Sequence, residues 1–129
     1  MISSGILRYS PKLLGDRISE KWWLVLDCDP EISSYYRHLF HIQNYKSQKL
    51  LMPAWDSHVT IIRNEEPPNK ELWEAYAGER VEYEYCHDSK TDGNYWWLDV
   101  ICPRLIEIRE ELGLSPQPLY PLHLSFGHT

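Results

Sequence analysis

Apolar and polar residues alternate with period two in several short stretches and recur at helical spacing in others, a pattern that predicts a mixed chain of strands and helices. Lys21 to Leu26 reads as a first strand. Asp29-Pro30 then supplies a helix N-cap followed by proline at the first helical position. Ile32, Tyr35, Tyr36, Leu39 and Ile42 follow at helical spacing, predicting a helix to about Tyr45. After the Pro53-Ala54-Trp55-Asp56 loop, Ser57 to Ile62 forms a strand. Pro67-Pro68-Asn69 breaks the chain and caps a short helix, Lys70 to Ala77, ended by Gly78. Val81, Tyr83 and Tyr85 alternate with Glu82, Glu84 and Cys86 as in a half-exposed strand, and Asp88 to Asn94 turns the chain. The returning strand, Tyr95 to Ile101, sets Trp97 and Asp99 on one face and Trp96, Leu98 and Val100 on the other. Pro103 starts a helix with an apolar stripe of Leu105, Ile108 and Leu112, closed by Gly113, and Leu122 to Phe126 is the last strand. The order expected is β-α-β-α-β-β-α-β.

Two of these strands carry the same chemical pair, His58-Val59-Thr60 and His123-Leu124-Ser125. Side chains i and i+2 of a strand share a face, so each segment shows one imidazole and one hydroxyl on the face opposite its apolar residues. The histidines stand 65 positions apart, each in a strand that follows a helix. This predicts two related lobes, each giving one motif to a shared cleft. Imidazole has an ordinary pKa of about 6.5, so near neutral pH one ring can act as base while the other is protonated. The hydroxyls of Thr60 and Ser125 would hydrogen-bond phosphoryl oxygens as charge builds on them. His58, Thr60, His123 and Ser125 are therefore the candidate catalytic set for a phosphodiesterase, and the scheme needs neither metal nor cofactor.

Length and charge narrow the substrate. The 129 residues fit a single domain, 1–129, with hydrophobic residues at 43% and aromatic residues at 13%, enough for a real core. The net charge of −6, without a Lys/Arg cluster, argues against a long nucleic acid as substrate and is neutral about a nucleotide. Cys28, Cys86 and Cys102 are odd in number and form no CxxC pair, which fits a reducing compartment. The first residues lack an apolar signal-like core and no apolar run approaches a membrane span, so a cytoplasmic chain without membrane contact is expected.

Competing chemistries are weaker. A catalytic zinc usually takes three protein ligands, and neither motif has a neighbouring Asp, Glu or Cys at ligand spacing. His38 and His41, three apart on the first helix, read as a surface or partly buried pair. No serine sits on a Gly-x-Ser-x-Gly elbow, and the cysteines read as core or strand residues. Strand alternation puts Arg63 opposite His58, where Glu65 or Glu66 would pair with it structurally.

The paired motifs resemble the two-histidine phosphoesterase superfamily. A narrower resemblance runs from Trp22 onward. Pro53 to Pro67, with its Trp55-x-x-His58-x-Thr60 and Glu65-Glu66-Pro67, is similar to the first motif of the bacteriophage anti-CBASS phosphodiesterase family. So are Tyr95-Trp96-Trp97-Leu98-Asp99-Val100, Ile108-Arg109, Leu112-Gly113-Leu114 and the closing His123-Leu124-Ser125-Phe126-Gly127. The resemblance implies an α+β, bilobed fold, with mainly antiparallel sheets and flanking helices around a central cleft. It further implies metal-independent cleavage of 3′–5′ bonds in the cyclic di- and trinucleotide messengers of bacterial antiphage defence, within the host bacterial cytoplasm. On that reading one histidine takes the proton of a ribose 2′-OH and the other protonates the departing 5′ oxygen, with the roles unassigned. Stacking on aromatic rings would hold the bases at about 1–3 kcal/mol each. Tyr9 and Trp97 are the candidate clamps, with Trp55 shaping the rim. An RNA-end 2′,3′-cyclic phosphodiesterase, a nucleotide-sequestering module that does not cut, and an interaction domain with packed histidines are the alternatives. Oligomeric state and base preference are not encoded legibly.

Overall fold

Strand-forming stretches of this chain find one another in a ring. The computed structural model describes residues 1–9, 22–43, 50–52, 57–63, 65–118 and 120–129. In chain order the elements are β1 (Ile2–Tyr9), β2 (Trp23–Asp27), α1 (Pro30–Gln43), β3 (His58–Arg63), β4 (Arg80–Tyr85), β5 (Lys90–Thr91), β6 (Tyr95–Ile101), α2 (Pro103–Glu111) and β7 (His123–His128). A 3-10 turn, Lys70–Leu72, lies between β3 and β4. The strand order β4-β1-β2-β3-β7-β6 is closed by pairing of β6 with β4, giving a six-strand antiparallel barrel, and β5 adds to β6. The class is α+β. The two halves are hydrogen-bonded into one ring rather than standing as separate sheets.

Each of the six barrel strands gives one face to a single apolar cluster shared with both helices. Leu7, Leu26, Val59, Ile61, Leu98, Leu124 and Phe126 meet Ile32 and Tyr36 of α1 and Leu105, Ile108 and Leu112 of α2. Burial of such side chains stabilises by roughly 1.5–3 kcal/mol each. The expected alternation in β4 holds: Val81, Tyr83 and Tyr85 are buried while Glu82 and Glu84 are exposed. Helix α1 begins where the sequence indicates, with Asp29 Oδ1 accepting the Glu31 N–H at 3.0 Å. Leu112 ends α2, and Gly113 follows at φ 85°, a conformation that favours glycine.

Three expectations change. The N-terminal strand β1 is absent from the sequence reading, because Ser3, Ser4 and Gly5 hide its alternation. Gly5 is required there: a Cβ would stand 2.4 Å from the Asp27 carbonyl oxygen on β2. The helix expected over Lys70 to Ala77 is a 3-10 turn followed by further turns, with i→i+3 bonds from Leu72, Trp73, Ala75 and Ala77. That three-residue repeat stacks Trp73 and Tyr76 on one side. Trp73 meets Tyr9 edge-on, while Tyr76 donates a short hydrogen bond to Glu111. The third change concerns Glu65, which pairs with Arg109 rather than with Arg63.

Arg109 is a charged side chain in the core, 1% exposed. Its guanidinium donates to both carboxylate oxygens of Glu65 (2.8 and 2.9 Å), to the Ile61 carbonyl (2.8 Å) and to the Ser115 carbonyl (2.8 Å). A buried charge is tolerated only when its donors are this fully engaged. The Glu65 carboxyl is held below the usual carboxylate range, first by its hydrogen bonds from Arg109. Arg109→Met should lower unfolding free energy by about 3 kcal/mol in urea denaturation, since it strands Glu65 and two carbonyls. A group whose pKa falls on folding stabilises above its unfolded value and loses that contribution as pH drops through the folded one. The stability gap between wild type and Glu65→Gln should accordingly be full above about pH 5 and close progressively below the ordinary value of 4.5. A gap independent of pH would remove the ion pair from the account.

Candidate active site

Both motifs lie on neighbouring strands. β3 and β7 pair antiparallel with Val59 opposite Leu124. Continuing that register by one residue each way sets His58 across from Ser125 and Thr60 across from His123. Antiparallel pairing carries a local two-fold axis between the strands, so each imidazole faces the other motif's hydroxyl. Diagonal neighbours of this kind stand about 7–8 Å apart along the backbone. The other registers extend the two rows across the sheet. One runs Ile6, Asp27, His58, Ser125, Trp97 and Lys90; the second runs Arg8, Val25, Thr60, His123 and Asp99. Val59, Ile61, Leu124 and Phe126 point the opposite way, into the core.

This face opens into a cavity of about 780 Å³. His58, Thr60, His123, Ser125 and Trp97 all line it, five of the six residues selected from the sequence. Trp97 meets His123 edge-on, with ring centroids 6.2 Å apart. Tyr9 is not among the lining residues. It shares a strand face with Leu7, so the pleat turns it to the core side, and its register partner is the buried Leu24. Its ring sits 4.8 Å from Trp73, and burial pushes its hydroxyl up to about 12. Trp55 falls outside the described residues.

Local contacts fix the motif strands in place. Ser57, just before His58, is buried and donates to Ser33 Oγ at 2.6 Å while accepting the Ser33 N–H at 3.1 Å. This ties the start of β3 to α1. His123 Nδ1 lies 2.7 Å from the Pro121 carbonyl oxygen. A carbonyl can only accept, so Nδ1 is the donor here, and whenever the ring is neutral its lone pair is on Nε2. Each histidine also has an acidic neighbour in its row already engaged by a cation: Asp27 with Arg8 at 2.7 Å, and Asp99 with Lys90.

Among the pocket residues that the sequence misses, two are hidden for the same reason. β3 has an extra residue, because Thr60 pairs with Val25 but Ile62 pairs with Leu24. β7 has one too, because Ser125 pairs with Trp97 but Gly127 pairs with Trp96. The additional residues, Ile61 and Phe126, stand three after His58 and His123. A bulge of this type inverts the alternation beyond it. Arg63 and His128, five after each histidine, are thereby returned to the pocket face and line the cavity. Simple alternation had placed Arg63 on the far side. Both bulge carbonyls are held by an arginine from a helix: Arg109 of α2 donates to Ile61 at 2.8 Å, and Arg37 of α1 donates to Phe126 at 2.9 Å. Two successive buried isoleucines, Ile61 and Ile62, are the one signal in the sequence that period two breaks here.

Other groups are accounted for structurally. Cys28 and Cys102 are buried, and burial raises both thiols, that of Cys28 to about 12. Cys86 is exposed just beyond β4. His38 and His41 lie on α1, away from the pocket lining. Among the described residues no group of three or more His, Cys, Asp or Glu side chains is placed to hold a metal ion. No described helix is long and apolar enough to cross a membrane. No protein-family model matches the chain, and no curated protein or solved structure is significantly similar to it. The geometry of the pocket therefore carries the functional argument alone. Long-range proton–nitrogen NMR should find neutral His123 with its proton on Nδ1; an Nε2–H tautomer would contradict the Pro121 bond.

Proposed function

We propose that the chain is a metal-independent phosphodiesterase acting on 3′–5′ bonds of cyclic di- or trinucleotides, of the kind that would silence a bacterial antiphage signal. The observation that carries this reading is the antiparallel pairing of Val59 with Leu124, which sets two imidazoles and two hydroxyls on one pocket wall. Its approximate two-fold symmetry supports the bilobed, two-histidine plan suggested by the motifs. A cavity near 780 Å³ falls within the range of small-molecule sites, roughly 300–1,000 Å³, which favours a compact nucleotide over a polymer. Trp97 offers an aromatic surface for a base beside His123.

The Pro121 bond to Nδ1 supports giving His123 the role of base and His58 that of acid. His123, with its lone pair on Nε2, takes the proton from the ribose 2′-OH as that oxygen attacks the adjacent phosphorus. His58, protonated, gives its proton to the 5′ oxygen as the P–O bond breaks. Thr60 and Ser125 donate hydrogen bonds to the non-bridging oxygens while negative charge grows on them. The product is a 2′,3′-cyclic phosphate and a free 5′-hydroxyl. A second pass, with water as nucleophile and the proton roles exchanged, gives the linear 3′-phosphate.

The test is incubation with a panel of cyclic di- and trinucleotides in EDTA, followed by chromatography for linear products. Turnover is expected with chelator present. His58→Ala and His123→Ala should each lower it by roughly 10²–10⁴-fold with the melting temperature unchanged. An analogue lacking the 2′-OH beside the scissile bond should survive intact. Rapid cleavage of that analogue, or a near wild-type rate in either variant, would sink the mechanism.

A further inference from the structure

The geometry points to Arg63 as the residue that binds a phosphate anion of the ligand at the edge of the pocket, presented there by the β3 bulge. This rests on the nucleotide reading above and names the group that would recognise the charge. Three observations carry it. The bulge at Ile61 returns Arg63 to the face bearing His58 and Thr60, and Arg63 lines the same cavity. Its guanidinium carbon lies 5.3 Å from the ring centroid of Trp23 and 5.5 Å from that of Tyr120. Two rings steady the guanidinium, and a planar group held this way can grip phosphate oxygens through paired hydrogen bonds.

Charge accounting singles it out. Lys90, the other basic residue lining the cavity, is paired with Asp99. Arg8 is bound by Asp27, and Glu65, close in sequence to Arg63, is taken by Arg109. Among the described residues no carboxylate lies within ion-pair distance of the Arg63 guanidinium. The Arg109–Glu65 pair thus has two effects: it holds the Ile61 carbonyl, and it removes the carboxylate that alternation would have offered to Arg63. Arg63 thus brings an aromatic-braced cation to the pocket of a chain whose net charge is −6, which suits an anionic ligand.

Calorimetry on the full chain, with inorganic pyrophosphate and a 2′-deoxy cyclic diadenylate as probes, tests this at low and moderate salt. Arg63→Ala should weaken both probes at least tenfold and flatten the salt dependence. Arg63→Lys, which keeps charge without the planar fork, should recover part of the loss. The melting temperature is the control for folding, and on a cleavable substrate KM should rise more than kcat falls. Binding by Arg63→Ala within twofold of wild type would overturn the inference even if the wild type cleaves cyclic nucleotides. Arg63-dependent binding without any cleavage would support this site and sink the phosphodiesterase reading instead. A wild type that binds neither probe would overturn both.

Discussion

Antiparallel pairing of β3 with β7, centred on Val59 and Leu124, is the constraint on which the pocket depends. A strand's side chains change face at every residue, so a slip of one position would send both histidines into the core and their apolar neighbours into the cavity. Val59, Ile61, Leu124 and Phe126 prevent that slip because all four are almost wholly buried. The same hydrophobic burial that stabilises the ring thereby sets the chemistry on its other face. Stability and site geometry are two consequences of one register.

Helices contribute to the pocket without lining it. α1 packs against β7 and α2 against β3. Each sends an arginine to the carbonyl of the additional residue three places after the motif histidine. Arg109 is the more deeply buried of the two, and its bidentate carboxylate and two carbonyl acceptors satisfy the charge. The bulges would otherwise leave polar backbone facing the core. Held open in this way, they let β3 and β7 each return a fifth residue, Arg63 or His128, to the pocket. His128 is itself engaged by backbone carbonyls of Met52 and Thr129, which leaves the two symmetry-related positions with different chemical tasks.

Much of this was legible in the sequence, because local alternation reports which way a side chain faces. Period two put His58 with Thr60, His123 with Ser125 and Trp97 with Asp99 on common faces, and the structure turns all six toward one cavity. The apolar stripe Leu105, Ile108 and Leu112 likewise identified the buried side of α2. What stayed hidden depends on non-local contact. Gly5 and its neighbouring serines gave β1 no apolar rhythm, since the strand is defined by close approach to the Asp27 backbone. Tyr9 was assigned to the pocket because the pleat of an unrecognised strand could not be applied to it. Arg63 was assigned to the wrong face because a bulge is created by a partner strand and a distant arginine, neither of which period two reports. The β4–β6 pairing that closes the strands into one ring likewise depends on contact between distant stretches.

If the two imidazoles form one site, they must sense the same ligand together. NMR titration of the full chain with a 2′-deoxy cyclic diadenylate, which the proposed chemistry cannot cut, follows the ring protons of His58 and His123 separately. Both should shift along a single saturation curve with one dissociation constant. Movement of only one ring, of neither, or of the two at different ligand concentrations would contradict a shared pocket and with it the catalytic account.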